Sequence, residues 1–501
     1  MTFWSATRAR CLLGALALCF GSKAVAHAQS RAAAGQPDIA AFDRYVAQGV
    51  RDWRAPGLAI AVVHGDSVVL AKGYGVLDVA KPDRVTEHTR FAIGSTTKAM
   101  TSVALGMLVD EGKLRFDDRV IDHLPDFRLY DPYVTREITV RDLLTHRSGL
   151  ASTDLMWLRA DLSPDEMIRR LRHVRPSSSF RAQWDYQNNV YAIAGAIVAK
   201  VSGMPWEDFV RTRIFQPLGM TESEPLVSGI IDAPNVAVPH GIVRDTVRQV
   251  PIRTTDPVAS AGSVYSSVSD MAKWMRFVLD SGRVGTKRLL TPATFSEIVT
   301  PQIRVPQGLY PALRLARPHG FSYALGWFVQ DYQGDVVWMH TGSINGMSAI
   351  IGLLPDRRVG VFVLANLDHV ELRHALMYKV FDLYAGNAAR DWSAELRALF
   401  ARGTSAASNT PPPPDARPSL PIEKYAGTYV DSTYGEVIVT HANGALRARF
   451  GKEDFGTLEP WGYESFRSPQ GQRTVLTFTR DAAGNATSVR VFGVLFTRGS
   501  R

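Results

Sequence analysis

Strand-forming segments stand near both ends of the first 400 residues and enclose a helical middle. Residues 57–63 and 67–75 are apolar runs that predict a hairpin around a His-Gly-Asp turn. Strands on both sides of a helical insert indicate an α+β unit, in which an antiparallel sheet is flanked by helices and joined to an all-helical lobe. The later strands are predicted at 322–330, 336–340, 347–354 and 360–365, and helices at 39–51, 163–171, 192–202 and 268–279.

A change of composition at residues 403–419 divides the chain. The stretch is rich in Ser, Ala and Thr and contains four consecutive prolines, which favour an extended linker over a packed core. We therefore predict one unit at residues 29–402 and a small antiparallel β-barrel-like domain at 420–501. Strands of this domain are predicted at 427–430, 436–440, 446–450, 474–479 and 488–492, with Trp461, Tyr463 and Phe466 in its core.

Residues 1–28 have the features of a secretory signal peptide. Arg8 and Arg10 precede an apolar run, and small residues follow it before the predicted cleavage site. The run is too short for a membrane-spanning helix, so we expect a secreted or periplasmic protein with no transmembrane anchor. Both cysteines, Cys11 and Cys19, lie in this segment. The mature chain is therefore predicted to use no disulfide, thiolate metal site or cysteine nucleophile.

The tetrad Ser95-Thr96-Thr97-Lys98 lies in a segment with a helical pattern. Residues three apart share one face of a helix, so the Lys98 amine can reach the Ser95 hydroxyl. A serine hydroxyl becomes a good nucleophile when a base takes its proton, and a buried lysine can be that base. A Ser-x-x-Lys tetrad alone is more often an N-cap serine followed by a solvated lysine.

Two later segments favour the catalytic interpretation. Tyr186 and Asn188 present a phenol and a carboxamide two residues apart, and these groups can relay a proton and bind Lys98 or a substrate carbonyl. His340-Thr341-Gly342-Ser343 follows a strand pattern. An edge strand there can offer backbone N–H groups to an acyl oxygen, and Gly342, which lacks a Cβ, leaves room for a substrate backbone.

With these three motifs in this order, the chain resembles the serine β-lactamase and penicillin-binding-protein superfamily. It looks most like the class C-type group that also holds D-amino-acid peptidases and esterases. Further matching stretches include Ile138–Leu150, Phe215–Met220 and Ser260–Ser267, and the resemblance runs from about residue 42 to 385. The domain after the linker resembles the lipocalin-like C-terminal domains of some members.

The resemblance implies a role for each motif residue. Ser95 is then the nucleophile, Lys98 its base and Tyr186 the residue that moves protons during acylation and deacylation. Asn188 positions the substrate. The backbone N–H groups of Ser95 and Ser343 form the oxyanion hole.

The third motif departs from the β-lactamases of this group. They usually have lysine where this chain has His340. By resemblance His340, with Thr341 and Gly342, faces the substrate or the tyrosine. An imidazole with its ordinary pKa titrates near neutrality, so we expect activity to depend on pH through His340. The histidine form resembles peptidases and esterases, which puts efficient β-lactam hydrolysis in doubt.

Other chemistries find less support in the sequence. The chain contains no Gly-x-Ser-x-Gly and no His-Glu-x-x-His motif, which argues against an α/β-hydrolase and a zinc hydrolase. We expect no metal and no cofactor. We interpret His146 as a structural loop histidine. The formal charge of +9 includes three basic residues of the signal segment, and nothing resembles a nucleic-acid-binding module.

The sequence thus predicts an exported serine hydrolase that cleaves ester or amide bonds through an acyl-Ser95 intermediate. An esterase or a D-amino-acid peptidase is favoured, acting on a small-molecule or peptide substrate, cell-wall material included. A β-lactamase and a penicillin-binding acyl-sensor with poor turnover stay open as alternatives. The sequence also leaves open a homo-oligomer.

Overall fold

The computed structural model describes residues 37–243, 245–403, 417–468 and 474–499. The predicted signal peptide and residues 404–416 of the predicted linker lie outside these ranges.

An eight-stranded sheet, antiparallel throughout, organises the larger unit. With strands numbered in chain order, its spatial order is β2 (Ser67–Gly75), β1 (Gly57–His64), β14 (Val359–Ala365), β13 (Met347–Leu354), β12 (Asp335–Ile344), β11 (Phe328–Tyr332), β10 (Phe321–Tyr323) and β9 (Ile303–Arg304). Three two-stranded ribbons pair β3 (Phe91–Ala92) with β6 (Tyr265–Ser266), β4 (His240–Val243) with β5 (Thr246–Gln249), and β7 (Arg283–Val284) with β8 (Lys287–Arg288).

Most of the larger unit's helices lie in the chain between β2 and β9. The helices are α1 (Ile39–Asp52), α2 (Thr97–Asp110), α3 (Val120–His123), α4 (Pro132–Glu137), α5 (Val140–Leu144), α6 (Leu155–Leu158), α7 (Pro164–Arg170), α8 (Asn188–Ser202), α9 (Trp206–Val210), α10 (Gln216–Leu218), α11 (Ala259–Gly262), α12 (Val268–Leu279), α13 (Pro292–Val299), α14 (Leu313–Ala316), α15 (Leu372–Ala385) and α16 (Trp392–Gly403).

The sheet separates two hydrophobic cores. Side chains alternate along β1, so Leu58, Ile60 and Val62 pack on one face with residues of α1 and α15. The alanines at 59 and 61 face the other way, into a core shared with α2, α8 and α12. Both faces are covered, which explains why seven consecutive residues of β1 are buried. Helix α2 is buried from residue 97 to 108, so its first turn is held rigidly beside the sheet.

Strand β12 extends beyond its neighbour β11. Its pairing with β11 ends at Met339, whereas its pairing with β13 continues to Ile344. Residues 340–344 therefore form a local edge of the sheet, as the sequence predicted for this segment. Their free side faces the start of α2.

A second sheet of nine antiparallel strands forms the C-terminal domain. Its order places β18 and β19, which follow each other in the chain, at the two open ends, so the sheet curls into a nearly closed barrel. The strands are β15 (Gly427–Asp431), β16 (Gly435–Ala442), β17 (Ala445–Phe450), β18 (Glu453–Thr457), β19 (Glu459–Gly462), β20 (Ser465–Arg467), β21 (Val475–Arg480), β22 (Ala486–Val491) and β23 (Val494–Arg498).

The structure confirms the predicted fold class: an antiparallel sheet flanked by helices, with a helical lobe and a barrel-like C-terminal domain. The predicted strand at 322–330 is wrong in detail, because Gly326, at φ +81°, interrupts it and leaves β10 and β11 as separate strands. Of the three aromatic residues predicted to lie in the barrel core, Phe466 is the one that is buried. Tyr463 is 64% exposed, and Trp461 stacks on the Arg467 guanidinium.

Candidate active site

Ser95 and Lys98 stand at the beginning of α2. Ser95 lies in a 3-10 turn, Gly94–Thr96, that runs directly into the helix. Gly94 has φ +53°, a left-handed conformation that favours glycine, and this turn sets the direction in which Ser95 leaves the strand before it. The Lys98 Nζ atom lies 3.0 Å from Ser95 Oγ. The pair is therefore within direct proton-transfer distance, as the i, i+3 spacing predicted.

Burial makes Lys98 a base. Its side chain is fully buried and donates to Asn188 Oδ1 at 2.7 Å and to the Ala261 carbonyl at 2.9 Å. The ammonium form also donates to Ser95 Oγ, whereas the neutral amine can accept from that hydroxyl. Loss of hydration lowers the pKa of Lys98 to about 7, and the charge of Asp154 opposes that change. Near neutral pH a large fraction of Lys98 is therefore neutral and able to accept a proton.

Tyr186 lies on the same side of the cavity, in the loop before α8. The Lys98 Nζ atom is 4.8 Å from the centre of its ring. Burial raises the pKa of Tyr186 well above 10, although a hydrogen bond with Ser95 opposes the change. Tyr186 consequently keeps its proton at neutral pH, which suits a group that donates or relays a proton and does not suit a standing phenolate base.

Asn188 is the first residue of α8, which begins four residues before the predicted start. Its Oδ1 accepts from Lys98, and its Nδ2 donates to both carboxylate oxygens of Asp154, at 3.1 and 3.2 Å. Sequence reasoning missed Asp154. It stands 59 positions after Ser95 in a loop with no local motif, and only the packing of that loop against α8 brings it to the site.

The third motif lies on the free edge of β12. Thr341 and Ser343 line the cavity together with Ser95. A methyl group on Gly94 would come 2.8 Å from the Ser343 backbone nitrogen. This nitrogen therefore lies beside the turn that carries Ser95, a position that suits an oxyanion donor. Arg373, also missed from the sequence, donates to the Gly342 carbonyl and to Ser343 Oγ, each at 2.8 Å, and holds this strand in place.

Gly342 serves a purpose different from the predicted one. A Cβ at this position would stand 1.9 Å from the Ile93 carbonyl oxygen. The glycine therefore lets β12 approach the turn that carries Ser95. Gly342 is not among the residues that line the cavity, so its missing side chain does not make room for substrate directly.

The predicted titration of His340 near neutrality is wrong. Its ring is buried between Tyr186 and Phe328 and does not line the cavity. Its Nδ1 donates to the Thr341 carbonyl at 2.6 Å, and its Nε2 accepts from the Tyr323 hydroxyl at 2.9 Å. Burial, together with the nearby Lys98 charge, lowers the pKa of His340 to about 3. The imidazole is therefore neutral throughout the physiological pH range. It influences the cavity through its contacts with Tyr186 and Phe328, which line it.

His146 is buried behind Tyr186. Its Nδ1 accepts from the Gln187 backbone N–H at 3.2 Å, and its ring stacks 4.3 Å from that of Tyr186. It is buried and does not line the cavity, which agrees with its interpretation as a structural histidine.

The cavity has a volume of about 650 Å³, and aromatic rings line it together with aliphatic, polar and charged side chains. These rings are Trp157, Trp184, Tyr186, Tyr310, Phe328 and Phe492. Phe492 belongs to the barrel domain, in the turn between β22 and β23, so the C-terminal domain contributes one wall of the site. Sequence analysis assigned no such role to that domain.

Ion pairs hold the barrel in that position. Glu453 of β18 accepts from Arg159 at 2.7 Å and from Arg253 at 3.1 Å. The Arg159 guanidinium also lies 4.2 Å from the centre of the Phe492 ring. The contact between the two domains thus adjoins the substrate cavity.

Comparison with known proteins agrees with the fold. Residues 42–383 match the Beta-lactamase family, and residues 411–498 match a domain of unknown function, DUF3471. The first match spans more than half of the chain, so the protein belongs to the Beta-lactamase family.

Named relatives include hydrolases and penicillin-binding proteins. The chain is 28% identical to Unguisins hydrolase ungD of Aspergillus violaceofuscus, over 81% of this chain and 78% of that protein. It is 29% identical to Penicillin-binding protein 4 of Amycolatopsis lactamdurans, over 62% of this chain and 81% of that protein. A solved structure, the octameric penicillin-binding protein homologue from Pyrococcus abyssi, matches with a TM-score of 0.62 at 22% identity, covering 92% of this chain and 98% of that chain.

Within the described ranges, no helix is long and apolar enough to span a bilayer. The same part of the chain contains no group of three or more His, Cys, Asp or Glu side chains arranged to hold a metal ion.

Proposed function

We propose that this protein is an exported serine hydrolase that cleaves ester or amide bonds through a covalent acyl-Ser95 intermediate, as an esterase or a D-amino-acid peptidase. The main support is the contact between Lys98 Nζ and Ser95 Oγ, at 3.0 Å, with the pKa of the lysine lowered to about 7. A buried amine that is partly neutral at working pH is what activation of a serine hydroxyl requires.

Acylation follows from the positions of these groups. Neutral Lys98 takes the hydroxyl proton of Ser95 while Oγ attacks the substrate carbonyl carbon. The resulting oxyanion is stabilised by the backbone N–H groups of Ser95 and Ser343, a contribution of about 3 kcal/mol per donor in other enzymes. The proton passes from Lys98 through Tyr186 to the leaving oxygen or nitrogen, the carbonyl double bond re-forms, and the leaving group departs with that proton.

Deacylation repeats these reaction steps with water as the nucleophile. Water loses a proton to the Tyr186–Lys98 pair as it attacks the acyl carbon, and Ser95 leaves with that proton restored. Because the pKa of Tyr186 lies far above neutrality, the phenol relays the proton and Lys98 stores it.

The cavity suits substrates with a bulky apolar acyl part, because aromatic and aliphatic side chains form much of its lining. The neutral His340 supplies no positive charge where β-lactamases of the group usually have lysine. We therefore expect esters or D-amino-acid peptides to be turned over faster than β-lactams.

Export and assembly belong to the same proposal. The predicted signal peptide at residues 1–28 supports export, and the intact mass of protein recovered from a periplasmic fraction tests it. The octameric state of the Pyrococcus abyssi homologue supports a homo-oligomer, which light scattering tests directly.

Covalent labelling tests the proposed chemistry. A fluorophosphonate should add one adduct to the wild type and none to Ser95→Ala. Ser102→Ala is the matched control, since Ser102 is a buried serine of α2, two turns after Ser95, whose hydroxyl donates to the Lys98 carbonyl. Equal labelling of wild type and Ser95→Ala would remove Ser95 from the mechanism.

A substrate panel separates the hydrolase from its alternatives. The panel contains a p-nitrophenyl ester, a peptide ending in D-alanine, a D-aminoacyl amide and nitrocefin. Preference for nitrocefin would identify a β-lactamase. A stable adduct with no turnover of any substrate would identify an acyl-sensor.

A further inference from the structure

Lys98 must direct its lone pair at Ser95 if it is to act as the base. A neutral amine has two hydrogens and one lone pair, and Lys98 has three partners. The Asn188 Oδ1 and the Ala261 carbonyl can only accept, so they take the two hydrogens. Ser95 is the one partner among these three that can donate. The lone pair is thereby directed at the Ser95 hydroxyl.

This arrangement depends on the orientation of the Asn188 amide. Rotation of the amide by 180° would place its NH₂ group against Lys98, where two sets of donors would meet. A hydrogen of the amine would then turn to Ser95, and the lone pair would point elsewhere. Asp154 prevents that rotation, because both of its carboxylate oxygens accept from Asn188 Nδ2 and a carboxylate offers that amide no donor.

We propose that Asp154 is a positioning residue of the hydrolase: it fixes the Asn188 amide so that the Lys98 lone pair points at Ser95. The inference rests on the proposed function of Ser95 and Lys98. The role extends the site to a residue outside the three family motifs.

Asp154 also provides the negative charge that faces Lys98. The other titratable groups around the amine are His146, His340, Tyr186 and Tyr191. Burial lowers the pKa of both histidines and raises the pKa of both tyrosines, so all four are uncharged near pH 7. Within the described ranges, the charge of Asp154 is thus the one that holds the pKa of Lys98 up against burial.

Two other roles for Asp154 must be distinguished from positioning. Its carboxylate accepts from Trp157 Nε1 at 3.0 Å, so it could serve only to hold that wall residue. It also lines the cavity, where it could bind the ammonium group of a substrate.

The test compares pH profiles of kcat/KM on an uncharged p-nitrophenyl ester. In Asp154→Asn the amide of residue 154 can donate as well as accept, so Asn188 loses its single orientation and the rate should fall at least tenfold. The lost charge should also move the acid midpoint down by about two pH units, the size that Coulomb's law gives for a charge about 6 Å away at an effective dielectric of about 20. Asp185→Asn, a carboxylate bonded to Ser178 and Gln183, should leave both rate and midpoint unchanged.

Further arms separate the alternatives. Trp157→Phe removes the indole donor and leaves the carboxylate, so its midpoint should match the wild type. A loss in Asp154→Asn with an unmoved midpoint would overturn the proposal and leave a structural role. A loss confined to the KM of ammonium-bearing substrates would overturn it in favour of substrate binding. Hydrolysis that continues undiminished in Ser95→Ala would refute the proposed function itself. This outcome differs from the two that overturn only the role of Asp154.

Discussion

Lys98→Met is predicted to abolish hydrolysis and to remove a pH-dependent gain in stability. The lysine side chain is fully buried, and its pKa is lowered from 10.5 to about 7. Between these two pH values the unfolded chain holds one proton more than the folded protein at this residue. The free energy of unfolding of the wild type therefore rises with pH across that window, and the contribution of Lys98 does not vary with pH below it.

The magnitude follows from the same two values. Each pH unit in which only the folded state has released the proton contributes about 1.4 kcal/mol. Because Lys98 is half protonated near pH 7, the gain from pH 7 to 9 is on the order of 2 kcal/mol. Over the whole window it reaches about 5 kcal/mol. Methionine also leaves Asn188 Oδ1 and the Ala261 carbonyl without their lysine donor, at a cost of roughly 1–3 kcal/mol each. That cost does not vary with pH, so the slope of the difference is the diagnostic quantity.

Urea unfolding, followed by tryptophan fluorescence at pH 6, 7, 8 and 9, measures how this stability difference changes with pH. The stability of Lys98→Met relative to the wild type should decline steadily above pH 7. Lys113→Met, which removes a surface lysine paired with Glu111, is the control and should parallel the wild type. Parallel profiles for Lys98→Met and the wild type would refute the inference that Lys98 is held neutral by burial.

Three further results are expected. Tyr186→Phe should lower kcat by at least about 100-fold on the ester, the usual loss for a proton-transfer group, and retention of most of the rate would exclude the phenol from proton transfer. His340→Gln should leave the pH midpoint of kcat/KM where it is in the wild type, because the pKa of about 3 keeps His340 neutral above pH 5; a moved midpoint would show that His340 titrates. Phe492→Ala should raise KM several-fold for esters with aromatic acyl groups and leave an acetyl ester unaffected, with Tyr463→Ala, an exposed ring elsewhere on the barrel, as the control. Equal KM changes for both esters would show that Phe492 does not shape the acyl pocket.

Local patterns were sufficient to predict the main elements and the contact between Ser95 and Lys98. Helix α12 runs from 268 to 279 as predicted, because its N-cap, Ser267, and its apolar spacing are both local features of the sequence. The Ser95–Lys98 contact follows from helical geometry alone. The predicted hairpin at 57–75 formed for a similar reason, since its turn and its two strands are contiguous.

Properties that depend on packing were not accessible in this way. The pKa of His340 is set by rings from Tyr186 and Phe328, which reach it from other parts of the chain. Asp154 and Phe492 meet the site only because a loop and a separate domain pack against it. A pattern of neighbours along the sequence contains no information about such contacts.

Trapping the acyl-enzyme tests the central claim most directly. The wild type is mixed with a p-nitrophenyl ester, quenched in acid within milliseconds, digested and analysed by peptide mass spectrometry. The account predicts an acyl group on Ser95 that forms as fast as nitrophenol is released and then disappears at the turnover rate. Turnover of the ester with no acyl group on Ser95, or with an undiminished rate in Ser95→Ala, would contradict it.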